Sequence, residues 1–245
     1  MGTGTCVPRL DRGGPCVLVR APGASLAVDL GLGALHGLLR AGVAHGDLDG
    51  VFLSHLHPDH VAELASLLFA SNYDEEPRRR PLVLAGGSGL AGFLHALSAV
   101  FGTWLEPREY ELDLREVAPG GEVALGGLRC RAGAVRHLPS SLAWRFERAG
   151  RSAVVSGDTG PSPELEGFAR GADLLVLEAS LPPGAQMASH LTARQAGELA
   201  RRAGVGRLVL AHLYPAAEAG DPAALAAEAF GRQVVVASDG AQFPV

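Results

Sequence analysis

No lysine occurs in the 245 residues; all 21 basic side chains are arginine. That absence excludes Schiff-base and lysine-nucleophile catalysis. It also excludes a phosphate loop of the Walker type, which needs its lysine. Cysteine is scarce: Cys6, Cys16 and Cys130 form no Cys-x-x-Cys pair. So scattered a set offers neither a disulfide framework nor a thiolate zinc site, and the three read as buried small apolar side chains. No apolar run approaches the roughly 20 residues of a membrane-spanning helix, so no membrane partner is expected. Residues 1–5 lack a charged segment followed by an apolar one, so a cytoplasmic location is the default. Excess positive charge is missing as well, the net charge being -5. Chains that grip long nucleic acid usually present a basic surface, so RNA is a less favoured partner than a small anionic molecule. The one basic run, Arg78-Arg79-Arg80, follows Asp74-Glu75-Glu76. It reads as a solvated loop ahead of a strand, with a secondary reading as a guide for an anionic substrate.

What is present has the composition of a folded globular chain, 47% hydrophobic and 19% charged. The length suits one domain over residues 1–245 with a sizeable core. Residues 15–20 and 25–29 read as strands around the turn Ala21-Pro22-Gly23-Ala24, and 33–41 as a helix. A buried strand at 51–54 leads into a helix over 60–70, with Val61, Leu64, Leu67 and Leu68 on one face. A strand at 82–85, a helix at 90–100 and an alternating stretch at 110–117 follow. Residues 122–125 and 128–135 form a hairpin about Gly126-Gly127, and 142–148 with 151–156 another about Ala149-Gly150. Residues 173–177, 208–211 and 234–237 are strands. Residues 192–203 and 223–230 are helices, the first with Thr192 and Gln195 placed as a capping box. A strand-rich block followed by helices, twice over, predicts an α+β/α/β chain folded as a four-layer αββα sandwich.

The densest chemistry lies in Ser54-His55-Leu56-His57-Pro58-Asp59-His60, directly after the apolar Val51-Phe52-Leu53. Three of the nine histidines fall in this one stretch. Imidazole nitrogens and a carboxylate oxygen suit Zn²⁺ or a similar divalent ion. Pro58 restricts the backbone around it and stiffens the loop.

The pattern His-x-His-x-Asp-His resembles the signature of the metallo-β-lactamase superfamily. Three later segments resemble its remaining ligand positions: His137 after the run 128–135, Asp158 in Ser156-Gly157-Asp158-Thr159, and His212 in Leu210-Ala211-His212. The resemblance implies the αββα fold and two divalent ions. One would be held by His55, His57 and His137, the other by Asp59, His60 and His212, with Asp158 bridging. Nitrogen and oxygen donors without sulfur favour Zn²⁺, with Mn²⁺ and Fe²⁺ open.

The last third of the chain narrows the resemblance. Glu178-Ala179, then Ser189-His190-Leu191-Thr192-Ala193, then His212 are similar to the ribonuclease Z branch. So are Gly2-Thr3-Gly4 with Pro8 and Arg12-Gly13-Gly14, and Leu84-Ala85-Gly86-Gly87. That resemblance implies a homodimeric hydrolase with Asp59 and His190 as catalytic residues. By resemblance His190 assists proton transfer to the leaving oxygen, a role suited to a side chain that titrates near neutrality. The chain departs from ribonuclease Z itself. That family carries a tRNA-gripping arm between the positions of His137 and Asp158, where this chain has room for one hairpin. Leu191 and Ala211 also replace hydroxyl-bearing residues. The expected function is therefore a two-metal phosphodiesterase for small or cyclic phosphodiesters. Hydrolysis of an ester, thioester, lactone or sulfate ester is an alternative, and tRNA 3′ processing another.

Overall fold

The computed structural model describes residues 1–245. Two sheets face each other, and the ends of their strands decide where the functional side chains meet. The first sheet has the order β1 (Val17–Ala21), β2 (Ala24–Val28), β3 (Gly50–Phe52), β4 (Leu82–Gly86), β5 (Leu112–Glu116). Strands β1 and β2 are an antiparallel hairpin; β2 to β5 are parallel. The second sheet contains β6 (Glu122–Leu125), β7 (Leu128–Ala134), β8 (Leu142–Arg148), β9 (Arg151–Val155), β10 (Leu174–Glu178), β11 (Arg207–Ala211) and β12 (Val234–Val236). These lie side by side in sequence order. Its first four strands pair antiparallel and its last four parallel.

Alternation along each strand sorts side chains between two cores, because successive residues point to opposite faces. On β4, Val83 and Ala85 enter the space between the sheets, while Leu82 and Leu84 enter the outer core of the first sheet. On β8, Leu142, Trp144 and Phe146 face inward and Ala143 faces the helices of the second sheet. The first sheet is covered by α1 (Ala34–Arg40), α3 (Leu64–Tyr73) and α4 (Leu90–Phe101). The second is covered by α5 (Pro163–Phe168), α6 (Ala193–Ala203) and α8 (Pro222–Phe230). Three separate apolar clusters fill three interlayer spaces, which is what four layers require. The expected αββα sandwich is the observed one.

Trp144 belongs to the inter-sheet core: it is fully buried, and its Nε1 donates to Leu53 O at 3.0 Å across the two sheets. The helix expected over 60–70 is two helices, α2 (Pro58–Val61) and α3. The break falls at Ala62-Glu63, where Glu63 is drawn away to cap α1, its carboxylate accepting from Gly33 N at 2.6 Å and Leu35 N at 2.7 Å. Two short helices escaped the periodicity reading, α5 and α7 (Pro215–Glu218), each opening on proline. The capping box of α6 forms as expected.

Arg78 is buried, contrary to a solvated loop. Its guanidinium donates to the carbonyls of His45, Gly46, Leu48, Arg80 and Pro81, tying the loop down. Arg79 and Arg80 pair with Glu109 and Asp49. Cys16 and Cys130 are buried, and burial pushes both thiols up to about 12. Cys6 is exposed instead, its Sγ 3.2 Å from Tyr214 Oη, because the loop after Gly4 runs over the surface. No helix is long and apolar enough to cross a membrane.

Candidate metal centre

Every residue of the centre follows the C-terminal end of a strand. Asp29 follows β2, the stretch from Ser54 to His60 follows β3, and His137 follows β7. Asp158, Ser180 and His212 follow β9, β10 and β11. Strands β2 and β3 run parallel, as do β9, β10 and β11, and β7 shares their direction through two antiparallel pairings. Their ends therefore meet along one edge of the sandwich. The backbone locks the two sheets together there, with Leu142 N donating to Ser54 O at 2.8 Å.

The seven candidate ligands fall into two groups, His55, His57, His137 and Asp158, and Asp59, His60 and His212. In the first, His57 Nδ1 lies 3.0 Å from His55 Nε2 and 3.3 Å from His137 Nε2. Asp158 Oδ2 is 3.8 Å from His55 Nε2 and 3.9 Å from His137 Nε2. In the second, Asp59 Oδ2 is 3.8 Å from His60 Nε2 and 3.5 Å from His212 Nε2. Asp158 turns its other oxygen here, Oδ1 lying 3.4 Å from His60 Nε2 and 3.4 Å from His212 Nδ1. Bonds of about 2.0–2.1 Å at tetrahedral angles place neighbouring donors about 3.3 Å apart. Both groups match that spacing, and Asp158 reaches both.

The remaining hydrogen bonds fix which nitrogen of each ring faces inward. Ser54 Oγ donates to Asp29 Oδ2 at 2.7 Å and so accepts from His55 Nδ1 at 3.0 Å. His60 Nδ1 donates to the same Asp29 Oδ2 at 2.8 Å, and His137 Nδ1 to Ser189 O at 3.2 Å. Ser180 Oγ donates to His212 O and accepts from His212 Nδ1, both at 3.0 Å. The Nε2 lone pairs of His55, His60, His137 and His212 are thereby left for a ligand, the usual arrangement around a metal-binding imidazole. Within the centre, three buried atoms have no hydrogen-bond partner, His60 Nε2, His212 Nε2 and Asp158 Oδ1. Orphaned buried polar atoms are rare and need an explanation. A divalent cation supplies one for all three, so the residues present fit such an ion.

Electrostatics agree. Burial, with the neighbouring His60, drives His55 down to about 2, so it stays a neutral donor. Burial likewise lowers His137. Burial disfavours the Asp158 carboxylate, yet His212 and His60 hold it well below the usual range. Burial also opposes charge on His60, but Asp29 and Asp158 more than offset it and hold it well above its ordinary value, so an ion binding at its Nε2 would displace a proton. Asp29 and His212 adopt left-handed backbones, φ 62 and φ 53. That region is sparsely populated by residues other than glycine and concentrates at functional sites.

His190 stands beside the first group, its ring 5.1 Å from that of His137. Its Nδ1 donates to Glu178 Oε1 at 2.8 Å, which raises its pKa and leaves Nε2 free. Glu178 is buried and accepts three backbone N–H bonds besides, from Thr159, Ser180 and Leu191. One carboxylate thus braces His190, the Asp158 loop and the Ser180 that orients His212. All eight residues expected from the sequence are brought to one edge. Asp29 and Ser180 were not foreseen, and Ser54 and Glu178 were noted only as parts of motifs. The available signal for Asp29 was its place, a carboxylate closing a strand ahead of Leu30-Gly31-Leu32-Gly33. Tyr214 lies at the rim, its ring edge-on to His212 at 6.2 Å. His36 and His95 are exposed and His45 is half-buried, all outside the centre.

The family described as Beta-lactamase superfamily domain matches residues 28–213, a span that includes every candidate ligand. Ribonuclease Z of Mycobacterium sp. (strain KMS) is 34% identical over 263 aligned positions, covering 98% of this chain and 92% of that protein. Ribonuclease Z of Mycobacterium marinum is also 34% identical, over 98% of this chain and 95% of its own length. Among solved structures, the metallo-β-lactamase fold protein YhfI from Bacillus subtilis superposes with a TM-score of 0.84 at 24% identity, covering 98% of this chain and 94% of that one. The short form of human tRNase Z follows at 0.79 and 22%, covering 100% and 98%. The chain belongs to the β-lactamase superfamily, in its ribonuclease Z-like branch, and is a hydrolase of that superfamily.

Proposed function

We propose that this hydrolase cleaves small or cyclic phosphodiesters at a two-metal centre. The observation that carries the reading is Asp158, whose two oxygens face two separate donor groups each spaced for a cation. His55, His57 and His137 would hold one ion, and Asp59, His60 and His212 the other, with Zn²⁺ favoured and Mn²⁺ or Fe²⁺ also suited to the donors. Two such cations supply positive charge for phosphoryl oxygens and acidify a water. The chain's own residues do the rest. Asp59, the least buried ligand of its group, orients the attacking water through its carboxylate. His190 donates its Nε2 proton to the departing alkoxide, and Glu178 steadies the ring from behind through Nδ1. Such proton transfer by a positioned side chain contributes about 10²–10⁴-fold.

The test is turnover of bis(p-nitrophenyl) phosphate by protein reconstituted in turn with Zn²⁺ and Mn²⁺, with a p-nitrophenyl carboxylic ester in parallel. Dominant phosphodiester turnover that chelator abolishes is the expected result. Dominant ester turnover overturns it and moves the function to acyl chemistry.

A second reading, tRNA 3′ processing, is favoured by the name of the 34% identical relatives. Against it stand the single β8–β9 hairpin between His137 and Asp158, and a basic run whose members are buried or paired. Weak RNA binding with little salt dependence is expected; a steep loss of binding with salt supports RNA as substrate.

We also propose that a second copy of the chain covers α4. This helix has no charged residue, and only Leu90 is fully buried. Phe69, Tyr73, Phe101 and Trp104, all exposed, share its end of the molecule. A helix so apolar is normally buried. Glu75, Glu76 and Arg108 place both signs of charge at the rim, as a two-fold, self-matching contact needs. Sedimentation is expected to show a dimer that Val100→Glu with Trp104→Glu dissociates; a monomeric wild-type chain overturns this.

A further inference from the structure

His212 owes its position to residues far from any ligand. Its N–H donates to Thr3 O at 2.9 Å, across the strand-like segment Gly2-Thr3-Gly4. Thr3 is buried, and both its N–H and its hydroxyl donate to Asp239 Oδ1, at 2.9 and 2.7 Å. Asp239 Oδ2 accepts from Gly13 N at 2.6 Å, so one carboxylate joins Thr3 to the loop that runs beside it. Arg12 Nη1 adds a second hold, donating to Thr3 Oγ1 and to Ala237 O, each at 2.6 Å. Gly2 and Gly4 also wall a cavity of about 40 Å³ whose other faces include Asp29, His60, Asp158 and His212. The segment that Asp239 clasps is therefore one wall of the second donor group. None of these bonds touches His55, His57 or His137.

The backbone explains why such a clasp matters. His212 sits at φ 53, where an L-residue stays only if its surroundings hold it. Thr3 O is the acceptor for its N–H, and Ser180 Oγ donates to its carbonyl. If Thr3 drifts, His212 can relax to an ordinary backbone, which swings Nε2 away from Asp59 and His60.

We propose that Asp239 is a positioning residue for the second ion, acting through Thr3 on His212. The inference rests on the two-ion reading and adds a residue that touches neither ion nor substrate. The experiment is stepwise Zn²⁺ titration against a chromophoric competing chelator, on wild-type protein and on Asp239→Ala, with circular dichroism and thermal melting to show that each is folded. Two dissociation constants are expected for wild type. In Asp239→Ala the step that His212→Ala abolishes is expected to weaken by about tenfold or more, the range typical of outer residues around a metal, while the other stays within about twofold. Asp239→Asn keeps an acceptor for Thr3 and is expected to recover part of the loss. Unchanged constants in folded Asp239→Ala overturn the clasp and leave the two-ion reading standing. A wild-type chain that binds fewer than two ions overturns that reading itself. If Asp239→Ala does not fold, Arg12→Gln decides: selective weakening of the same step supports the clasp, and unchanged constants overturn it.

Discussion

His55, His57 and His137 approach one another to 3.0 and 3.3 Å through nitrogens that all have polar neighbours. In the group of Asp59, His60 and His212 the Nε2 atoms of both histidines lack any hydrogen-bond partner, as does the Asp158 Oδ1 between the groups. The outer contacts differ too. His137 leans on a backbone carbonyl, while His60 leans on the carboxylate of Asp29 and His212 on Ser180. An unmet buried polar group costs about 1–3 kcal/mol, so the second half carries the larger penalty when no cation is bound. Two donor sets of similar spacing can thus differ in how much the fold depends on filling them.

The change expected to do most damage removes what the halves share. Asp158→Ala should abolish phosphodiester turnover and lower metal content at both, measured by plasma emission on dialysed protein; unchanged turnover and stoichiometry would sink the assignment of Asp158. Next comes a residue outside both halves. His190→Ala is expected to lower kcat by about 10²–10⁴-fold while metal content stays at the wild-type value. An unaltered rate removes its acid role. Chelation should then cost stability as well as activity. Free ion at a hundred times its dissociation constant contributes about 2.7 kcal/mol, and each kcal/mol moves Tm by about 2–4 °C at this chain length. A fall of about 5–10 °C is expected by calorimetry, and Asp158→Ala should melt at nearly the same temperature with and without chelator. The finest test separates the halves: Ser180→Ala, which removes the hydroxyl that holds His212 Nδ1, is expected to weaken one zinc-binding step by about 10–100-fold and spare the other. Equal weakening of both steps would erase the distinction drawn above.

The layers and the ligands were legible in the sequence because each depends on neighbours along the chain. Period-two alternation marked the strands, and the hairpins about Gly126-Gly127 and Ala149-Gly150 lie where turn residues put them. The stretch from His55 to His60 announced its chemistry through the density of donors alone. What escaped depends on partners distant in sequence. Asp29 meets His60 across 31 residues, and Glu178 meets His190 across 12. Neither carboxylate has a local pattern that names its partner. Glu63 looks like an ordinary helical glutamate until α1 offers its unpaired N–H groups. Arg78 reads as solvated beside two other arginines, yet five carbonyls converge on it. Cys6 was misread because a lone cysteine is most often buried, and nothing near it showed that its loop stays on the surface.

The bond between Thr3 and Asp239 joins residues 236 positions apart, whereas the tightest contact between separate segments in the first donor group, His57 with His137, spans 80. Closing a longer loop costs more chain entropy and must wait for more of the intervening structure. The first donor group draws only on the segments that follow β3, β7 and β9. The second is complete only where the last loop meets the first segment, so its geometry depends on both ends of the chain.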